Sequence, residues 1–165
     1  MTSRTAWTGG NLSPGLSWTT FFNGSDLNSL ANGSSVLSSE SGFTNGTSLD
    51  QFFDVSFQLT IASNNIVAGA NLTMWMFPLQ QDGSTYGDGL LTAGTGAAIT
   101  PGAFPILVMP ITVRSGATSI IGWNTSPLIM PPGSWRPVMQ NNTGFALAAS
   151  GNTGAFRSYN INLNN

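Results

Sequence analysis

The chain has no cysteine, no histidine and no lysine in its 165 residues, and only 6% of them are charged. Each absence removes a chemistry. Without histidine, the commonest general base and metal ligand is missing. With cysteine absent too, a structural or catalytic zinc site is close to excluded. A Ser-His-Asp triad cannot be assembled. Amine nucleophiles and the phosphate-binding P-loop both need a lysine that is not there. The cations are four arginines, at positions 4, 114, 136 and 157, and the net charge is −2. A chain with that balance offers no basic footprint, so no nucleic-acid partner is expected. Nothing approaches the ~20 apolar residues of a membrane span, and the first thirty residues lack the apolar run of a secretory signal. No membrane partner is expected either. Lack of cysteine leaves the redox compartment open.

What is present is apolar bulk and neutral polarity. Hydrophobic residues make up 41% of the chain, with ten Phe and five Trp, enough to drive folding of one domain. Ser, Thr, Asn, Gln and Gly must then cover the surface. Few charges keep such molecules apart, which suits a protein packed against neighbours. Host composition or a secreted life would leave the same mark. Seven Asn-X-Ser/Thr triplets, at Asn11, Asn23, Asn32, Asn45, Asn71, Asn124 and Asn141, follow from the abundance of these residues.

The hydrophobic period is two. From Phe53 to Ile61 every odd position is apolar and every even one polar, which predicts a half-buried antiparallel strand. Leu72–Leu79 is apolar on both faces, with Pro78 marking an edge, bulge or strand end. Further strands are predicted within Phe104–Val113, Thr118–Trp123, Ser134–Gln140, Gly144–Ala149 and Ala155–Leu163. Turn signals at Asn64-Asn65, Gln81-Asp82-Gly83, Gly87-Asp88-Gly89, Pro131-Pro132-Gly133, Asn141-Asn142 and Gly151-Asn152 separate them. Short strands with turns at this spacing predict an all-β sandwich or barrel. A short helix is predicted at Ser25–Ala31, capped by Ser25 and ended by Asn32-Gly33. Thr85–Pro101 reads as a long loop, with room for a short strand at Leu90-Leu91.

Residues 1–24 read as an extended arm ahead of the sandwich domain, residues 25–165. The arm carries Trp7, Trp18, Phe21 and Phe22, too many aromatics for a free tail. They are expected to dock on a neighbour or on the domain's own body. Trp75 and Trp123 read as core. Trp135, after Pro-Pro-Gly, reads as a loop-edge residue able to stack on a sugar ring or fill an interface.

Carboxylates are the one catalytic constellation that survives. A glycosidase needs two across a cleft, about 5–10 Å apart. Asp50 and Asp54 would share a strand face if the strand began early enough, and read otherwise as wet-face positions. Asp82 and Asp88, beside glycines, read as turn residues, with a loop calcium site the alternative.

Four stretches resemble small β-sandwich proteins encoded among the virion structural genes of tailed bacteriophages. They are the alternating Phe53–Ile61 strand, the run from Leu79 through Asp82-Gly83 to Tyr86-Gly87-Asp88-Gly89, the run from Met130 through Trp135 to Gly144, and Ala146–Thr153 with the strand that follows. Leu27–Gly33 is similar as well. The resemblance spans about residues 25–160. It implies a jelly-roll-like antiparallel sandwich. It also implies a virion location after synthesis in the host cytoplasm, most directly as a capsid decoration (cement) protein. The partner would be the major capsid protein, with self-association, trimers included. No cofactor, metal or catalytic residue is implied, so the chain is expected not to be an enzyme. If arms of this kind dock, Trp7, Trp18, Phe21 and Phe22 are the candidate anchors. A sugar- or receptor-binding module of a tail fibre and a carboxylate-dependent glycosidase stand as the alternatives.

Overall fold

The alternation that begins at Phe53 forms the longest described strand of the first half of the chain, β5 (Phe52–Ile61). The computed structural model describes residues 4–8, 17–40, 43–46, 49–61, 69–86, 107–110, 119–124 and 127–164. Phe53, Val55, Phe57, Leu59 and Ile61 all point into the core, as period two requires. The remaining strands are β1 (Arg4–Thr8), β2 (Thr19–Phe22), β3 (Ser35–Leu37), β4 (Phe43–Asn45), β6 (Asn71–Pro78), β7 (Leu107–Pro110), β8 (Ser119–Asn124), β9 (Leu128–Ile129), β10 (Gly133–Asn142) and β11 (Thr153–Asn164).

These strands make two antiparallel sheets. In sheet I, β11 lies between β5 and an edge made of β2 followed by β1, and β5 pairs on its other side with β8 followed by β9. In sheet II, β10 lies between β6 and an edge made of β3 followed by β4, and β7 closes the far side of β6. Taking β1/β2, β3/β4 and β8/β9 as single interrupted strands leaves eight. Their order is then first-eighth-third-sixth in one sheet and second-seventh-fourth-fifth in the other. That is the jelly roll, two Greek keys folded face to face.

The core lies between the sheets and is strongly aromatic. Phe21, Phe43, Phe57, Trp135 and Phe156 form a connected set, with Phe43 and Phe156 edge-on at 4.8 Å and Phe43 and Trp135 at 5.1 Å between ring centres. Tilted and edge-on pairs of this kind add about 0.5–1.5 kcal/mol each beyond buried area. β6 is apolar on both faces because Leu72 and Met74 enter the core while Trp75 and Phe77 join Leu37 and Val138 in a second cluster. Pro78 is its last residue. Pro137 sits inside the central strand β10, where a missing N–H is normally disruptive. Its carbonyl accepts from Ser38, so it faces the edge where β3 stops at Leu37 and β4 has not begun. The interruption removes the need for its N–H.

Several expectations are corrected. The helix is α1 (Gly24–Leu27), capped by Asn23 and not by Ser25. Asn23 and Asp26 form a capping box, each side chain accepting from the other's backbone N–H. The helix stops at Asn28, before Asn32-Gly33. Gly144–Ala149 forms no strand; only Leu147 bridges, to Ile61. Of the arm, Arg4–Thr8 and Thr19–Phe22 are strands of sheet I, so this stretch is built into the sandwich along β11. Leu90-Leu91 and Asp88 lie outside the described residues.

Candidate functional site

The register of sheet I sets the layout of its outer face. Tyr159 is opposite Phe52, and Phe52 is opposite Ile129. One step along the strands, Arg157 is opposite Asp54. Because odd positions of β5 enter the core, Phe52 and Asp54 face outward, and their register partners Tyr159, Ile129 and Arg157 face outward with them. Trp18, just ahead of β2, lies against the Arg157 guanidinium at 4.7 Å from its ring centre. A band from Ile129 through Phe52, Tyr159 and Arg157 to Trp18 therefore crosses the sheet. Its two ends are open: Trp18 is 41% exposed and Ile129 81%.

The middle of the band is held rigidly. Arg157 donates from Nε to Asp54 Oδ2 at 2.9 Å, and its Nη2 lies 2.8 Å from the same oxygen. Tyr159 donates its hydroxyl to Asp54 Oδ1 at 2.8 Å and stacks on Phe52 with 6.0 Å between ring centres. Asp54 thus accepts on both oxygens while almost fully buried. Burial above all, then the hydrogen bond to Asp54 and its charge, push the Tyr159 phenol above its usual value, while Arg157 offsets part of this. The pair cancels in charge, and further along the same face the strands carry Ser56, Gln58, Thr60, Thr153 and Ala155.

The other carboxylates have structural partners. Asp50 precedes β5 and so does not share a strand face with Asp54. It accepts from Ser158 at 2.5 Å and from Asn160 at 3.1 Å, residues on the face of β11 opposite to Arg157 and Tyr159. Asp54 is also buried, not a wet-face residue. Asp26 serves the capping box and accepts from Ser39 N–H. The Glu40 side chain accepts from Asn23, and its carbonyl accepts from Arg136. Asp82 makes a turn by accepting from the N–H groups of Ser84 and Thr85 at 2.9 Å. With the Thr85 hydroxyl contributing most, these bonds hold its carboxyl down to about 2.

The candidate anchors separate into three groups. Trp18 is at the surface. Phe21 and Phe22 are buried in the chain's own core, as is Trp135 at 1% exposure, so these three are corrected from contact residues to packing residues. Gly133, at φ +78, ends the Pro-Pro-Gly turn one residue before the strand side chains begin, which carries Trp135 inward. The Trp7 and Trp123 side chains lie outside the described residues. Sequence reasoning missed Arg157 as the partner of Trp18, because only strand register brings them together.

An apolar groove of about 370 Å³ opens beside this band, between the sheets, lined by Phe53, Met76, Pro127, Leu128, Ile129 and Pro131. Among the described residues no group of three acids is placed to hold a metal ion, and no helix is long and apolar enough to cross a membrane. No protein-family model, no curated protein and no solved structure matches the chain.

Proposed function

We propose that the chain is a non-catalytic structural protein of a tailed-phage virion, a decoration (cement) protein that works by surface contact, bracing coat subunits and associating with itself. The observation that carries this reading is the neutral aromatic band on the outer face of sheet I. Its middle is fixed by a satisfied ion pair, and its ends are an exposed Trp and an exposed Ile. Exposed Trp18, fixed against the Arg157 guanidinium, has the composition of an interface hot spot, and its fixed geometry lowers the entropy lost on contact. The jelly roll supports the reading by analogy of fold, since it recurs in viral capsids as well as in lectins and cupins. The low charge and the resemblance carried by the Asp82–Gly89 and Met130–Gly144 stretches point the same way.

The test is recombination with capsid shells stripped of this protein. Co-sedimentation with the shells, and restored resistance to heat and osmotic shock, are the expected results. Shells that neither bind the protein nor lose resistance without it would remove the cement role. A second reading, a sugar- or receptor-binding part of a tail fibre, is favoured by Trp18, whose indole is held in place by Arg157 and can stack on a sugar ring. A glycan array and a host-adsorption assay decide it, because the cement reading expects neither signal.

A further inference from the structure

We infer that the β9 edge of sheet I receives an extended, uncharged strand from a partner chain, which pairs with Ile129 and sets apolar side chains into the groove beside it. The partner is the coat subunit of the reading above, and its name rests on that reading. The surface and the mode of contact rest on strand register.

Register shows which backbone groups are free. Met130 N–H donates to the Gln51 carbonyl at 2.9 Å. The bonds of an antiparallel ladder alternate along each strand, so Leu128, opposite Phe53, also turns its N–H and carbonyl towards β5. Ile129 lies between them, opposite Phe52, and turns its own pair away from β5, over the open side of the sheet. Among the described residues nothing bonds either group. The Ile129 side chain is 81% exposed, the most open large apolar one among the described residues.

Natural edges are blunted by charge or proline because an open edge recruits strands. Here the blunting is partial. Pro127 and Pro131, two residues to either side, share the parity of Ile129 and have no N–H. Ile129 carries no charge and keeps its donor. The edge is therefore one bonded pair wide, too narrow to seed an open-ended sheet but enough to seat one added strand in a fixed register.

The groove lies where that strand would place its next side chains. A strand residue opposite Ile129 shares the outward face, so the residues before and after it point inward, between the sheets. The groove of about 370 Å³ is there, and Phe53, Met76, Pro127, Leu128, Ile129 and Pro131 line it without one polar side chain. Charge fits the same occupant. Asp50, the acid nearest β5 on this side, is already occupied by Ser158 and Asn160. A charged segment would lose solvation here with no counter-ion to gain. An uncharged one with apolar residues at alternate positions fits edge and groove together. A lipid or other small apolar molecule would fill the groove and leave the Ile129 N–H and carbonyl unbonded.

Hydrogen exchange and shell binding test the pairing. In the free chain the Ile129 amide should exchange as fast as an open amide, and binding to stripped capsid shells should slow it about tenfold or more. Ile129→Pro removes the outward N–H, a change that edge strands tolerate, and should weaken shell binding about tenfold. Ile129→Ala keeps the N–H and should weaken binding less. Val108→Lys, exposed on β7, should leave it unchanged. Urea midpoints check that the variants fold, and if Ile129→Pro does not, exchange on the wild-type chain decides. A blocked Thr-Val-Thr-Val-Thr peptide at millimolar concentration is the second probe, and should shift the Ile129 amide resonance.

An Ile129 amide that exchanges slowly in the free chain means that the chain covers its own edge, and overturns the inference. Protection that rises with protein concentration alone gives the edge to a second copy and overturns it too. Shells that bind wild type and folded Ile129→Pro alike overturn the docking mode and leave the cement reading intact. Shells that bind neither, while the peptide still shifts Ile129, overturn the cement reading and leave the edge pairing standing. Silence from both probes removes both.

Discussion

Replacing Asn141 by aspartate changes one atom's chemistry at almost constant volume, yet it should cost a large part of the fold's stability. Asn141 is fully buried at the end of β10. Its amide nitrogen donates to the carbonyls of Leu30 and Phe145, both at 2.8 Å, and its oxygen accepts from Thr143 N–H at 3.1 Å and Oγ1 at 2.7 Å. Aspartate keeps the second pair and loses the first. Leu30 retains another donor, Leu147 N–H, whereas the single Thr143 hydroxyl proton can serve the new carboxylate or the Phe145 carbonyl but not both; the two lost bonds cost about 1 kcal/mol each. The larger loss is a carboxylate buried against two carbonyl oxygens, about 2 kcal/mol more after the Thr143 bonds are credited. A total near 4 kcal/mol is about a quarter or more of the ~5–15 kcal/mol of a typical domain. Urea unfolding followed by tryptophan fluorescence measures it. The new carboxyl's folded pKa is raised above its unfolded value near 3.9. The deficit is therefore complete above the raised pKa, and shrinks as pH falls through it towards 4. A loss below about 1 kcal/mol at neutral pH, or a deficit that does not shrink on acidification, would refute the view that this amide is a structural pin.

Asp54→Asn should destabilise by about 1–3 kcal/mol, less than a fully buried pair because Arg157 is one-third exposed, and circular dichroism melts would register the change. Because the Tyr159 phenol is raised in the folded state, stability should hold up to about pH 10 and fall above it, with one tyrosine ionising only as the chain unfolds in an ultraviolet titration. Gly154→Ala would set a Cβ 2.7 Å from the Phe57 ring, in a wall also lined by Phe21, so a loss of about 1–3 kcal/mol by urea unfolding is expected. Asp82 has a lowered folded pKa, so its contribution is present above about pH 4 and is lost as pH falls through about 2; a carboxyl-carbon titration by NMR should place its midpoint near 2, below the usual carboxylate range.

How much of this was legible depends on whether the signal is local. β5 could be read because its alternation runs uninterrupted from Phe53 to Ile61, and β6 because both of its faces are apolar. The short strands β2, β3, β4 and β9 have two to four residues each, too few for a period, and exist because a long neighbour supplies the pairing. The helix start was misplaced by two residues because Gly24 and Ser25 mask the Asn23–Asp26 box. Trp135 was misplaced because Pro-Pro-Gly reads as a loop that extends past Gly133. The outer band was invisible because Trp18, Phe52, Ile129 and Arg157 are remote in the chain and meet only through register.

The buried amides also bear on how the chain can be made. Asn45 donates to the carbonyls of Asp50 and Pro131, while Asn141 is sealed at the end of β10. Both head acceptor triplets for oligosaccharide transfer, which in a eukaryotic secretory pathway acts on the nascent, still unfolded polypeptide. A glycan on either nitrogen would remove a donor and force a bulky hydrophilic branch into space the closed sandwich fills with protein. The chain is therefore suited to synthesis where that modification does not occur, and production by secretion from animal or yeast cells should yield misfolded material; removing the second triplet by substituting Thr143 cannot rescue it, because Thr143 is itself half of the Asn141 lock.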